Sequence, residues 1–140
     1  MSGIAGFGAE LLLGDGATVP GYNLVANVTN IGGPSLALDV EDVTAHNSTD
    51  GWEEVIATIL RTGEVTLDIN YDPAAATHKN AALGLLHKLI NRTLTVWTLG
   101  GPIGAWTFSA YVIGFEPGAP FDGKLTASVT LKITGAVTAP

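Results

Sequence analysis

Residues 64–71 read EVTLDINY, and their alternation decides the fold class. Val65, Leu67, Ile69 and Tyr71 fall on one side of an extended chain, with Glu64, Thr66, Asp68 and Asn70 on the other. Successive side chains of a strand point to opposite faces, so the segment predicts a strand with one dry face and one wet face. Residues 124–134, KLTASVTLKIT, repeat the pattern, setting Leu125, Ala127, Val129, Leu131 and Ile133 against Thr126, Ser128, Thr130, Lys132 and Thr134.

Outward from these two strands, 18 Gly and 7 Pro punctuate the chain at short intervals, the spacing of a sandwich or barrel. Strands are expected at 7–13 (FGAELLL), ended by the turn residues GDG, at 22–31 (YNLVANVTNI) and at 36–44 (LALDVEDVT). In the last of these, Leu36, Leu38 and Val40 alternate with Ala37, Asp39 and Glu41. Segments 93–99 and 105–116, rich in β-branched and aromatic residues, complete the set. One stretch departs from this rhythm. After Asp72-Pro73, Leu83, Leu86 and Ile90 recur at helical spacing with Ala82 and Leu89 adjoining, which predicts one helix at 77–91. The expected architecture is mainly β, a small antiparallel sandwich or barrel with one packed helix, spanning residues 1–140 as one domain.

Composition narrows the function. Charged residues make up 14% of the chain, against about 25% in ordinary soluble domains, while 46% are hydrophobic and mean hydropathy is +0.35. So little charge predicts that much of the surface is covered by other protein. The net charge of −7, with only six Lys and Arg, argues against wrapping nucleic acid, because neutralising phosphates takes basic side chains. Without cysteine there are neither disulfides nor thiolate metal sites. No basic n-region with an apolar h-region opens the chain, and no apolar run approaches the length of a membrane span. A soluble protein made in a cytoplasm is expected, and the three Asn-x-Thr matches at Asn27, Asn47 and Asn91 then carry no consequence.

Few residues are placed for chemistry. Asp42, His46 and Ser48 are close in sequence, but no nucleophile elbow or oxyanion loop accompanies them, and polar closure of a loop explains them better. His78 and His87, nine apart, would lie on opposite sides of the expected helix and cannot share a metal; both read as surface or boundary residues. Adjacent Glu53 and Glu54 diverge rather than pair, and none of the paired glycines begins a phosphate-binding loop. No catalytic, cofactor or metal site is expected. Trp52 stands apart, since a large ring in a polar loop either folds back onto the rim of the sandwich or is covered by a partner. The semi-apolar run Val55-Ile56-Ala57-Thr58-Ile59-Leu60 follows it.

In order, Asp42-Val43-Thr44, His46-Asn47-Ser48, Gly51-Trp52-Glu53-Glu54, an apolar run to Leu60 and a strand ending Asn70-Tyr71-Asp72-Pro73 resemble the tail tube proteins of long-tailed bacteriophages. The strand 124–134, led in by Phe121-Asp122-Gly123, is similar to that family's last strand. The resemblance implies a virion protein, not an enzyme, assembled in the host cytoplasm into hexameric rings stacked as a hollow tube. Its implied partners are its own copies, tape-measure and tail-terminator or tip proteins, and double-stranded DNA that passes through without specific binding. It further implies that residues 45–63 form an assembly arm, mobile when alone, with Trp52, Glu53, Glu54, Val55, Ile56 and Leu60 as contacts. An acidic lumen would repel phosphates, and Asp39, Glu41, Glu64 and Asp68, on the wet faces of their strands, are the candidates for it. Two other expectations remain open. One is the tube of a contractile injection or type VI secretion apparatus; the other is a monomeric carbohydrate-binding sandwich using Trp97, Trp106 and Tyr111 as a stacking platform.

Overall fold

A computed structural model of the chain describes residues 3–14, 22–80 and 84–140. It contains β1 (Glu10–Gly14), β2 (Tyr22–Leu24), β3 (Val28–Gly32), β4 (Ala37–Asp42), β5 (Val55–Arg61), β6 (Glu64–Asn70), α1 (Leu85–Ile90), β7 (Thr95–Gly100), β8 (Trp106–Gly118) and β9 (Thr126–Thr138). Seven strands form one antiparallel sheet in the order β2-β1-β7-β8-β9-β6-β3, and among the described residues β4 and β5 pair only with each other.

The alternation of EVTLDINY is borne out from Glu64 to Ile69, where Val65, Leu67 and Ile69 are buried and Glu64, Thr66 and Asp68 are exposed; Asn70 and Tyr71 are both half-buried. Its neighbour β9 pairs Val65 with Leu131, Leu67 with Val129 and Ile69 with Ala127, so the dry faces of both strands coincide. Leu11, Leu13, Trp97, Leu99, Phe108, Ala110 and Val112 extend the same face across β1, β7 and β8. Burial of each large aliphatic side chain contributes about 1.5–3 kcal/mol, and this single face carries the core. The indole N–H buried in it is satisfied, since Trp97 Nε1 donates to the Ala110 carbonyl at 3.2 Å.

A sheet with its core on one face has to fold over on itself. Two register shifts in the β8–β9 ladder, at Thr107/Ser109 and Val112/Gly114, supply local twist. The stretch 22–31, expected as one strand, is instead broken into β2 and β3, the two outermost strands of the sheet. Asn27 adopts φ 59°, a left-handed conformation that Asn tolerates, and turns the chain between them. At this corner the Val25 amide donates to the Leu11 carbonyl and the Asn70 amide to the Asn27 carbonyl, both at 2.9 Å, with Val25 buried between. One continuous segment thus draws the ends of the sheet together in a sandwich-like closure.

The helix is shorter than the expected 77–91. Residues 76–80 make turns and bends, residues 81–83, with the expected Ala82 and Leu83, lie outside the described residues, and α1 begins only after the extended Gly84. Leu85 and Lys88 face inward, and Ile90, expected on the dry side, is exposed. His78 explains the delay. Its ring is fully buried rather than at the surface, with Nδ1 accepting from the Asp72 amide at 3.2 Å and Nε2 donating to the Ala26 carbonyl at 2.6 Å. The amide donor on Nδ1 assigns the ring proton to Nε2. Leu85 and Leu86 amides reach back to the carbonyls of Thr77 and His78, so the backbone around the ring is used in a loop rather than in helical bonds.

Candidate assembly surface

Beyond Gly32 the chain leaves the sheet as β4, returns as β5 and rejoins it at β6. The result is a two-stranded arm with no layer packed on either face among the described residues. Every residue of β5 is exposed, and β4 is exposed apart from half-buried Asp39. Leu36, Leu38, Val40, Val55, Ile56 and Ile59 each show about half their surface to solvent, and Leu60 shows 76%. The dry face expected for strand 36–44 is therefore absent; its alternation is real, but no core lies against it. Within the expected arm of 45–63, Val55–Arg61 is a strand, and it pairs with β4 to form the ribbon.

The far end of the arm is a fastened loop. The Asp42 carboxylate accepts from the Thr44 amide at 2.8 Å, and hydrogen bonding from the Thr44 side chain and then its amide holds the Asp42 carboxyl below its ordinary value. The Thr44 hydroxyl accepts from the Glu54 amide at 2.8 Å, and the Val43 amide donates to the Glu54 carbonyl at 2.9 Å. The Ser48 hydroxyl accepts from the Ala45 amide at 2.9 Å and donates to Glu54 Oε2 at 3.1 Å. A turn at Thr49–Gly51, with Asp50 and Gly51 both at positive φ, then delivers Trp52, whose amide returns to the Thr49 carbonyl at 3.1 Å. Polar staples fix the backbone and leave the indole 74% exposed, so Trp52 does not fold back onto the rim. Asp42 and Ser48 are engaged by Thr44 and Glu54, and among the described residues no hydrogen bond joins His46 to either, which dismantles the sequence triad.

At its base the arm is held by Gly63, whose φ of 66° turns β5 into β6. A Cβ there would collide with the Ser35 carbonyl oxygen. The Gly63 carbonyl accepts from the Ile133 amide at 3.2 Å, tying the turn to β9. Arg61 Nε meets Asp39 Oδ2 at 2.9 Å across the ribbon, an exposed pair contributing about 0–1 kcal/mol. Between this base and the last residues of β9 lies an apolar groove of about 640 Å³, lined by Leu36, Leu38, Leu60, Gly135 and Val137 among others.

The expected contact residues are thus brought together on one projection, Trp52, Glu53 and Glu54 in its loop and Val55, Ile56 and Leu60 on β5. The four candidate lumen acids are not. Asp39 and Glu41 ride on the arm, whereas Glu64 and Asp68 sit on the outer face of the main sheet. There Lys132 stands opposite Glu64 in the β6–β9 register, and Ser128 donates to Asp68 Oδ1 at 3.2 Å. The stacking platform is overturned. Trp97 is fully buried, Trp106 is half-buried with Nε1 donating to the Ile103 carbonyl at 3.0 Å, and of the three only Tyr111 is exposed. Two aromatic residues outside every expected site, Phe7 and Phe121, are almost wholly exposed. The sequence does carry a signal for Phe121, its setting between Pro120 and the turn pair Asp122-Gly123.

Solved structures share this fold over nearly the whole of the chain. A chain from the tail of an empty gene transfer agent particle, determined by helical refinement with C6 symmetry, superposes at TM-score 0.71 with 11% identity, covering 99% of each chain. A chain of the sheath–tube complex of an extracellular contractile injection system gives 0.67 and 13% identity over 99% of this chain and 93% of that one. The SPP1 tail tube gives 0.64 and 14% over 99% of this chain and 80% of that one. No protein-family model matches the chain, and no curated protein sequence matches it.

Proposed function

We propose that this chain is a structural virion protein that assembles with copies of itself into hexameric rings, stacked as a hollow tail tube through which a genome is ejected. The observation that carries the reading is the arm, a stapled ribbon with exposed large apolar side chains on both of its strands and none of the described residues of its own chain packed over them. An exposed apolar surface of this kind marks a contact with other protein. Trp52, Val55, Ile56 and Leu60 are the anchors, and covering each large apolar side chain contributes about 1.5–3 kcal/mol toward holding an arm in place. The low charge density and the fold shared with tail-tube chains support the same reading. Its role is architectural, and its further partners are a tape-measure protein, terminator or tip proteins and passing double-stranded DNA.

Negative-stain microscopy of the concentrated protein tests this. Striated hollow rods are expected, and a particle that stays monomeric at high concentration overturns it. A tube inside a contractile sheath is the second reading, favoured by the likeness to the sheath–tube chain. Genes for a sheath and an ATPase beside this one support that reading, whereas tape-measure and capsid genes without a sheath support the phage or transfer-particle tail.

A further inference from the structure

The strands β8 and β9 run the length of the molecule and carry different things at their two ends. At one end their connecting turn, 119–125, presents Phe121 with its side chain wholly in solvent. At the other end lies the apolar groove between Val137 and the base of the arm. Thr126, where the turn closes, and Ala136, in the groove, are ten residues apart on β9, or about 33 Å at 3.3 Å per residue. Nothing among the described residues packs on Phe121 to explain an aromatic ring there, and the groove, lined by Leu36, Leu38 and Leu60, stands open.

We infer that Phe121 of one copy inserts into the arm-base groove of the next copy along the tube axis. The inference rests on the tube reading and adds to it the contact that stacks one ring on another. The partner is a second copy because the two surfaces are complementary in polarity and charge, yet stand at opposite ends of the same strands, so no molecule can satisfy both by itself. A groove of about 640 Å³ admits a phenyl ring together with its turn. Asp122 follows the ring, and Arg61 lines the groove with Nε already held by Asp39, leaving the rest of its fork to receive a second carboxylate. Residues 135–137 of β9 also lie past the last β6 pairing, that of Glu64 with Lys132, so this edge offers backbone hydrogen bonds to the incoming turn. A contact between unlike surfaces whose rotation does not close is one that propagates, which is what an axial stack requires.

The chain has no cysteine, so introduced thiols report only on the tested contact. The double variant Asp122→Cys/Ala136→Cys, which keeps Phe121 and Leu60 in place and puts one thiol beside the ring and the other in the groove, is expected when oxidised after assembly to give a ladder of disulfide-linked multimers on a denaturing gel, with neither single variant giving more than a trace. Rods that form without any ladder overturn the contact. Separately, Phe121→Ser, which removes a side chain outside the core, is expected to retain the wild-type far-ultraviolet dichroism and single rings while losing rods by at least about tenfold in pelleted protein, the loss expected when a central aromatic anchor is removed. Rods of normal length from Phe121→Ser overturn this inference alone, whereas wild-type protein that forms no rods overturns the tube reading and this contact with it.

Discussion

His78 and Trp52 invert the usual expectations for their residue types, one polar and buried, the other apolar and exposed, and the two support opposite experiments. His78 joins the start of the 72–80 loop to the corner between β2 and β3, through Asp72 and Ala26. His78→Ala would leave a backbone donor and a backbone acceptor without partners in a tight interior, and each such group costs about 1–3 kcal/mol. The expected loss is about 2–4 kcal/mol, read as a lowered midpoint in urea at unchanged slope. A midpoint within error of wild type would mean that water replaces the ring. Trp52→Ala should do the reverse. With three quarters of its surface already in solvent the indole contributes little to the monomer, so stability should stay within about 0.5 kcal/mol while rods are lost. Normal rods from this variant would remove the arm's loop from the contact. The burial of His78 is not legible in the sequence, because it falls on a periodicity that its own hydrogen bonds interrupt; for Trp52 the resemblance points to a contact, but composition alone does not separate the two places its ring can go.

At the level of elements, β6 and β9 are legible because each is covered on one face and wet on the other, so the physical environment imprints a period of two. The arm's pattern misleads for the opposite reason. Leu36, Leu38 and Val40 carry the same alternation, but none of the described residues of this chain covers them, and a pattern reports only that something covers a face. Segment 22–31 reads as one strand since nothing but a single Asn at positive φ marks the corner. A free two-stranded ribbon is marginal in water, which predicts the arm's dynamics. Amides of β4 and β5 should exchange faster than those of β6 and β9 in the subunit and slow on assembly, as followed by mass spectrometry. Equal protection in the free subunit would show that the ribbon is stable without neighbours. The staple at Asp42 adds a pH dependence of known sign. Its carboxyl titrates below the ordinary value in the folded arm, so its contribution is fully present above the ordinary carboxylate range and is lost as pH falls through the lowered value. Acidification should therefore loosen residues 42–54 before the main sheet, and Asp42→Asn should weaken that response.

For the whole molecule the governing quantity is charge. Each copy carries −7, so the proposed ring of six would carry six times that, −42, and its assembly would have to overcome its own repulsion. At 0.01 M salt the screening length is about 30 Å, comparable to the subunit, and at 0.15 M it is about 8 Å, so the concentration needed for rods should fall as salt is raised. The same charge would bear on the proposed passage of DNA. Glu64 and Asp68 project from the outer face of the main sheet, a surface otherwise built largely of Thr and Ser, and a wall of this kind repels phosphates and offers them few cationic partners. Replacing both with lysine changes each copy from −7 to −3, since each replacement adds two charges. The side chain introduced by Glu64→Lys would then face Lys132 across β6 and β9, a like-charge pair costing about 0.2–1 kcal/mol, so the neutral Glu64→Gln/Asp68→Asn pair is needed to separate charge reversal from instability. If this face lines the lumen, tubes of the charge-reversed variant should assemble at normal length and release DNA more slowly, with the neutral pair between it and wild type. The delay should shrink as salt rises, because contacts with phosphate release counterions. Ejection at the wild-type rate from well-formed charge-reversed tubes would place Glu64 and Asp68 away from the lumen and return Asp39 and Glu41, on the arm, as the acids to test.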